Sequence, residues 1–128
     1  MKVLVTGSAG FIGMHVAQRV LVMGLTFKEN CPDVRNTKIV DVVKELKKYG
    51  CSVDVFDPWA DADEAEHEYG LRPVKKVKPA TYDAVIMGVG HQEFRDMGIK
   101  KVRALGKKKH VLYDIKYVFK SDEVDGRL

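Results

Sequence analysis

Three glycines near the start of the chain have a spacing that suits phosphate binding. Gly7, Gly10 and Gly13 form a G-x-x-G-x-x-G pattern directly after the short apolar segment 2–5. A strand followed by a glycine-rich turn and a helix brings backbone N–H groups and the positive end of the helix dipole to a pyrophosphate. The spacing therefore indicates a dinucleotide site. The alternative is a glycine-bearing turn that begins a helix and binds nothing.

A second set of candidate residues lies in the loop that follows the apolar segment 20–25. Phe27 and Lys28 open this loop, and Asp33 and Arg35 lie near its end. Lysine would bring a mobile positive charge to the carboxyl edge of a sheet, and arginine offers a fork of donors that fits phosphate. The loop can hold a nucleotide diphosphate, or Asp33 and Arg35 can pair with each other and fix it. The residues alone leave both readings open.

His91 and the two cysteines complete the candidates. His91 follows Gly88-Val89-Gly90 at a predicted strand end, where it could contact a ligand or cap the next helix, and Phe94 one turn later can pack against it. Cys31 and Cys51 have no spacing typical of a metal or redox site, so we expect a loop-packing and a core cysteine. No metal site and no catalytic side chain are predicted.

The elements that position these residues alternate between strand and helix. Strands are predicted at 2–5, 20–25, 52–56, 83–89 and 110–115, with a possible edge strand at 71–74; helices are predicted at 14–21, from a cap at Asn36 to Gly50, and at 61–69, 91–97 and 99–105. Residues 20 and 21 fall in both the first predicted helix and the second predicted strand. The alternation predicts an α/β, Rossmann-like, doubly wound and mainly parallel sheet with helices on both faces.

Composition and charge exclude several classes of protein. The 128 residues are 45% hydrophobic and 31% charged, which is typical of one globular domain, and the apolar runs are far too short for a membrane span. The net charge of +4 comes from separated lysine clusters, and the aromatic residues form no stacking platform for nucleic acid. We expect a cytoplasmic protein that binds a small anion and neither nucleic acid nor membrane.

Residues 1–13, Met-Lys-Val-Leu-Val-Thr-Gly-Ser-Ala-Gly-Phe-Ile-Gly, resemble the opening of nucleotide-sugar epimerases of the extended short-chain dehydrogenase family. This resemblance implies NAD as a cofactor bound by Gly7, Gly10 and Gly13. It ends near Leu21, and no tyrosine in the chain is followed four residues later by lysine, the catalytic pair of that family. An epimerase active site is therefore not expected.

The remainder carries a second and longer resemblance. Residues 22–38 (VMGLTFKENCPDVRNTK) and 53–58 (VDVFDP), with the pair His91 and Phe94 and the segment Tyr113-Asp114-Ile115-Lys116, resemble the C-terminal UDP-binding domain of the UDP-glucose/GDP-mannose dehydrogenase family. The likeness is greatest to the branch that oxidises UDP-N-acetylhexosamines to uronic acids. It implies that Lys28 contacts the nucleotide sugar, while Asp33 and Arg35 mostly build the loop and a domain interface. The nucleophilic cysteine and the NAD domain of that family precede this domain and have no counterpart in the sequence.

These patterns predict three segments and one leading function. Residues 1–20 would be an epimerase-like start, 21–120 a UDP-binding domain and 121–128 a loose tail; the junction suggests a gene fusion or a truncated chain with a borrowed start. We expect UDP or a UDP-sugar as ligand, with Phe27, Lys28, Asp33, Arg35 and His91 as candidate contacts, and no complete oxidation by this chain alone. The alternatives are a non-catalytic dimerisation or assembly module and an NAD-binding fragment. A homodimer could form through strand 2–5.

Overall fold

The computed structural model describes residues 2–5, 10–13 and 19–127, with side chains from 19 to 126. The strands are β1 Lys2–Val5, β2 Gly10–Gly13, β3 Arg19–Met23, β4 Ser52–Phe56, β5 Tyr82–Met87, β6 Gly106–Asp114 and β7 Gly126–Arg127. The helices are α1 Ile39–Lys48, α2 Ala62–Tyr69 and α3 Gln92–Arg103, and Ser121–Glu123 forms a 3-10 turn.

Five of these strands form one parallel sheet in the order β4-β3-β5-β6-β7. From the interior strand β3 the chain first forms β4 on one side of it, and then returns to form β5 on the other side. This reversal leaves a crevice between the carboxyl ends of β3 and β5, which is where open α/β sheets bind their ligands. The predicted Rossmann-like, doubly wound sheet is confirmed.

The core lies on both faces of the sheet because side chains alternate along each buried strand. Val20 and Val22 of β3 pack with α1 and with Ala65 of α2, whereas Leu21 and Met23 pack on the opposite face with residues of α3. These four side chains are fully buried, and only Arg19, at the start of β3, is exposed. This burial on both faces explains why residues 20 and 21 belong to a strand and not to the helix predicted at 14–21.

Helix α1 follows its predicted apolar period, but its start differs from the prediction. Ile39, Val40, Val43 and Leu46 are buried. Asn36 is not the cap, because it has a φ of 58° and lies in the preceding turn. The hydroxyl of Thr37 accepts a hydrogen bond from the Ile39 backbone N–H instead, at 3.2 Å.

The other two helices agree with the sequence more closely. The Asp61 carboxylate caps α2 by accepting from the Glu64 N–H at 2.9 Å, and Gly70 ends the helix in the left-handed conformation. Helix α3 is broken at Gly98, so that it consists of the two segments that were predicted.

The possible edge strand at 71–74 does not form; the Val74 N–H donates a single hydrogen bond to the Val55 carbonyl. No helix within the described residues is long and apolar enough to cross a membrane.

The predicted glycine loop and first helix are wrong where the structure describes them. Residues Gly10–Gly13 form β2, which pairs antiparallel with β1 in a separate two-stranded sheet, and Arg19 already begins β3. In this register Val3 lies opposite Ile12 and Leu4 opposite Phe11. Gly7 and residues 14–18 lie outside the described residues.

The tail predicted to be loose is attached to the sheet. Strand β7 pairs with the end of β6, with Gly126 opposite Tyr113. The Asp125 carboxylate accepts from the Leu112 N–H at 2.8 Å and from the Arg103 guanidinium at 2.9 Å. Arg103 also donates to the Glu123 carbonyl at 2.9 Å. Hydrogen bonds to residues distant in the sequence therefore order this segment, and a local sequence pattern does not reveal such bonds.

Candidate functional site

A pocket of about 300 Å³ opens at the carboxyl ends of β3 and β5, where the order of the parallel strands reverses. Its walls come from the loop after β3, the start of α1, the end of β5 and the loop after β6. The lining residues are Thr26, Phe27, Lys28, Asn36, Thr37, Lys38, Ile39, Gly88, Val89 and Lys116.

The pocket is positively charged. Lys28, Lys38 and Lys116 line it, and no carboxylate does. None of these three ammonium groups forms an ion pair with the part of the chain that the structure describes. Lys38 directly precedes α1, whose first turn adds the positive end of the helix dipole. Three uncompensated cations beside a helix N-terminus favour a multiply charged anion such as a diphosphate.

Two glycines allow the strand ends to come together beneath the pocket. Gly24 has a φ of 101°, and a Cβ atom there would lie only 2.6 Å from the backbone nitrogen of Val89. A Cβ atom on Gly88 would lie 2.8 Å from Cδ1 of Ile39. A larger residue at Gly24 would have to displace backbone, so that glycine fixes the geometry at the point where β3 leaves the sheet.

The buried carboxylate of Asp57 anchors the loop after β3. Its Oδ2 accepts hydrogen bonds from the backbone N–H groups of Leu25 at 2.6 Å and Thr26 at 2.9 Å, and its Oδ1 accepts from Trp59 N–H at 2.8 Å. Burial raises the pKa of Asp57, but the hydrogen bonds from His91, Leu25 and Thr26 outweigh this effect and lower the pKa below its ordinary value. Asp57 is therefore a charged anchor for the loop.

His91 is fully buried beside this carboxylate. Its Nε2 lies 2.9 Å from Asp57 Oδ2 and 3.1 Å from the hydroxyl of Thr26, and its Nδ1 accepts from the Asn30 backbone N–H at 2.9 Å. An N–H donor at Nδ1 and a carboxylate at Nε2 place the ring proton on Nε2. His91 is the N-cap residue of α3, which confirms one of the two predicted alternatives, although its side chain makes no capping bond. The ring is enclosed and does not line the pocket, and its contact with a ligand stays a prediction.

Asn30 connects the same loop to α3. It has a φ of 55°, a left-handed conformation that asparagine tolerates, and its side-chain oxygen accepts from the Gln92 N–H at 2.8 Å. Asn30 thus caps α3 from another part of the chain. Farther along, the Phe27 N–H donates to the Asp33 carbonyl at 2.7 Å and closes the loop on itself.

Asp33 and Arg35 pair with each other rather than with the pocket. The Arg35 Nε donates to Asp33 Oδ1 at 3.1 Å, and Arg35 N–H donates to the same oxygen at 2.9 Å. The Arg35 guanidinium lowers the pKa of Asp33 through these bonds. Neither residue lines the pocket. Of the two alternatives that the sequence left open, the structure has the self-locked loop.

The loop after β6 is built around a second buried carboxylate. Asp114 accepts from the Lys116 N–H at 3.1 Å and from the Phe119 N–H at 2.8 Å, and this turn brings Lys116 to the pocket. The side chain of Phe27 is 56% exposed and lies on the pocket wall. The pocket therefore combines an aromatic ring with cations at its rim.

The structure brings together only part of the predicted site. Phe27 and Lys28 reach the pocket, while Asp33, Arg35 and His91 support the loop. Sequence reasoning missed Lys38 and Lys116 as pocket residues and Asp57 as the anchor of the loop after β3. The sequence did contain a signal for Lys116, because this lysine belongs to the segment Tyr113-Asp114-Ile115-Lys116 that carries part of the resemblance to the dehydrogenase family. The buried Cys51 is in the core as predicted, and Cys31 is a half-buried free thiol in the loop.

Comparison with known proteins identifies the family. Residues 21–121 match the model of the UDP-binding domain of the UDP-glucose/GDP-mannose dehydrogenase family. The chain belongs to this family. The match begins at β3 and ends at the 3-10 turn, so it contains every residue that lines the pocket.

Several curated members of the dehydrogenase family are closely similar. The UDP-N-acetyl-D-glucosamine 6-dehydrogenase of Salmonella typhi is 61% identical over 109 residues, which are 85% of this chain and 26% of that protein. The enzyme of the same name from Pseudomonas aeruginosa is 57% identical over 116 residues, which are 90% of this chain and 28% of that protein. The chain thus spans about a quarter of the length of these relatives.

Solved structures of the family share the fold. A UDP-glucose dehydrogenase from Pyrobaculum islandicum superposes with a TM-score of 0.65 at 26% identity, covering 87% of this chain and 24% of that one. The GDP-mannose dehydrogenase of Pseudomonas aeruginosa gives a TM-score of 0.66 at 20% identity over 88% of this chain and 28% of that one.

The described N-terminal residues do not fit an NAD site. Gly10 and Gly13 lie in β2, which pairs with β1, so at these two residues the chain does not form the glycine-rich turn that binds a pyrophosphate. The predicted cofactor role of Gly7 falls on a residue outside the described ones. No step of the function below depends on this segment.

Proposed function

We propose that the pocket between β3 and β5 binds the UDP part of a nucleotide sugar. The observation that carries the proposal is the set of three lysines, Lys28, Lys38 and Lys116, around a crevice that lacks carboxylates. The family match supports uridine diphosphate as the particular nucleotide.

Each part of the pocket suits one part of UDP. The lysines and the first turn of α1 would neutralise the diphosphate, which carries its charge on oxygen atoms that accept hydrogen bonds. The hydroxyl of Thr26 donates a hydrogen bond to the Lys28 carbonyl at 3.0 Å, and that of Thr37 accepts one from the Ile39 N–H at 3.2 Å. Both hydroxyls therefore help to shape the wall of the pocket. The exposed ring of Phe27 offers an apolar face to the uracil.

We propose further that this domain belongs to an oxidoreductase acting on a UDP-N-acetylhexosamine. The support is that the two relatives described above are both named UDP-N-acetyl-D-glucosamine 6-dehydrogenase. In such an enzyme NAD would accept the hydride, and a cysteine would hold the sugar covalently. By the resemblance, both belong to segments that precede this domain, so the pocket here would serve substrate binding. Cytoplasmic location and a homodimer stay predictions.

Thermal unfolding in the presence of nucleotides tests the binding. A ligand that binds only the folded chain raises the unfolding midpoint, and the rise grows with the ratio of the ligand concentration to its Kd. We expect millimolar UDP and UDP-N-acetylglucosamine to raise the midpoint and NAD to leave it unchanged. Lys28→Ala should lose most of the shift produced by UDP.

Two matched variants show whether the effect belongs to the pocket. Lys44→Ala and Lys48→Ala each remove the same charge from the exposed face of α1, outside the pocket. Both should keep the full UDP shift. If all three variants lose the shift equally, the binding is unspecific charge attraction. A shift with NAD alone would favour the NAD-binding fragment, and no shift with any ligand would favour an assembly module.

A further inference from the structure

His91 contacts both ends of the segment that presents Lys28. The Thr26 hydroxyl, two residues before Lys28, lies 3.1 Å from His91 Nε2, and the Asn30 N–H, two residues after it, donates to Nδ1 at 2.9 Å. Between these contacts the Thr26 hydroxyl donates to the Lys28 carbonyl at 3.0 Å. The five residues Thr26–Asn30 therefore form a short arch that spans one imidazole ring.

The ring itself is held in one orientation. Asp57 accepts at Nε2, Trp59 stacks on the ring at 6.0 Å between centroids, and Phe94 meets its edge at 5.4 Å. His91 is 0% exposed, although Lys28 and Asn30 on the arch are exposed. The Nδ1 of a rigid, buried ring is thus bonded to the backbone of an exposed residue, Asn30, while its Nε2 contacts the buried Asp57 and Thr26.

We infer that His91 is a positioning residue that fixes the backbone of the Lys28 segment through the Nδ1 bond to Asn30, and thereby aims the lysine into the pocket. The inference rests on the proposed function, since it takes Lys28 as a contact of the UDP diphosphate. An imidazole suits this role because it offers an acceptor and a donor on opposite sides of one rigid ring. Preorganising a loop in its binding conformation reduces the entropy lost when the ligand binds.

Two substitutions distinguish the roles of the two nitrogen atoms of the His91 ring. His91→Asn places a carbonyl oxygen near the position of Nδ1 and removes the Nε2 donor, whereas His91→Gln keeps an N–H for Asp57 and removes the acceptor for Asn30. Both lose the ring between Trp59 and Phe94, so we expect both to lower the free energy of unfolding. We expect UDP to bind His91→Gln about tenfold more weakly than the original chain, and His91→Asn within about threefold of it.

Calorimetric titration with UDP and urea unfolding of each variant test the inference. If the affinity loss follows the loss of unfolding free energy rather than the presence of the Nδ1 acceptor, or if His91→Gln binds UDP as the original chain does, the inference is wrong. If the original chain itself does not bind UDP, the proposed function fails first.

A measurement without ligand then decides the inference separately. In the NMR spectrum of the labelled chain, a scalar coupling across the hydrogen bond should connect the Asn30 amide to Nδ1 of His91, and the Asn30 amide should exchange slowly. Absence of the coupling together with fast exchange would overturn the inference, and this also covers the case in which both variants fail to fold.

Discussion

At the scale of single residues, buried carboxylates at strand ends fix the conformation of the loops that form the site. The conspicuous exposed ion pair in the sequence contributes less to that conformation. Asp57 and Asp114 each follow or end a strand, are almost fully buried, and accept backbone N–H groups from the loops that carry Lys28 and Lys116. The exposed pair Asp33 and Arg35, by contrast, only fixes its own turn. An ion pair in solvent contributes little because water already screens both charges.

Asp57 should make the stability depend on acid pH. Its pKa in the folded chain is lowered from the ordinary value of 3.8, so its stabilisation is complete above about pH 4 and is lost as the pH falls through the lowered pKa. Asp57→Asn should lower the free energy of unfolding at pH 7 by about 2–4 kcal/mol, because the amide cannot replace a carboxylate that accepts several N–H groups. Urea unfolding between pH 3 and pH 7 measures this.

The pH series contains its own control. The difference between the free energies of unfolding of the original chain and Asp57→Asn should narrow as the pH falls below about 4, because the carboxyl of the unfolded chain takes up a proton there before that of the folded chain does. Asp122→Asn, at an exposed carboxylate of the 3-10 turn, should change little at any pH. A constant difference down to pH 3 would show that the charge of Asp57 is not what stabilises the loop.

At the scale of elements, the sequence predicts what repeats locally and misses what depends on distant contacts. The apolar period of α1, the glycine that ends α2 and the break at Gly98 are local signals, and all are confirmed. The helix expected over 14–21 competes with a central strand, and the strand prevails at residues 19–21 because both of its faces are buried. The order of the C-terminal segment comes from Arg103 and Asp125, which no local pattern pairs.

Gly24 should tolerate no side chain. In Gly24→Ala the new Cβ would meet the Val89 backbone nitrogen, and the positive φ adds strain, so we expect a loss of about 3 kcal/mol or more in unfolding free energy. Gly50→Ala is the matched control, since Gly50 also has a positive φ but its Cβ would face open space. It should cost only the backbone term of about 1–2 kcal/mol. Equal losses in urea unfolding would rule out the close approach as the cause.

The attachment of β7 can be tested in the same way. Asp125→Ala removes the acceptor of the Leu112 N–H and of the Arg103 guanidinium, and we expect a loss of about 1 kcal/mol together with faster proteolysis after residue 120. Asp122→Ala alters the same segment without removing either bond. If both variants are cut at the original rate, the segment does not depend on Asp125.

At the scale of the whole molecule, strand order explains why the pocket lies where it does. The alternation of elements predicted a doubly wound sheet, but not which strands flank the reversal, because strand order depends on contacts between distant segments. The order β4-β3-β5 places the loops after β3 and β5 side by side, and α1 begins at the same edge. Lys38 and Lys116 come from other loops, so only the assembled sheet brings them to Lys28.

The most direct test of UDP binding in this pocket is a titration of the labelled chain with UDP, followed by amide NMR shifts. We predict that the largest shifts fall on Thr26–Lys28, Thr37–Ile39, Gly88–Val89 and Lys116, and that Lys28→Ala weakens the response while Lys44→Ala does not. Shifts confined to residues away from the pocket, or no saturable response to UDP, would contradict the proposal.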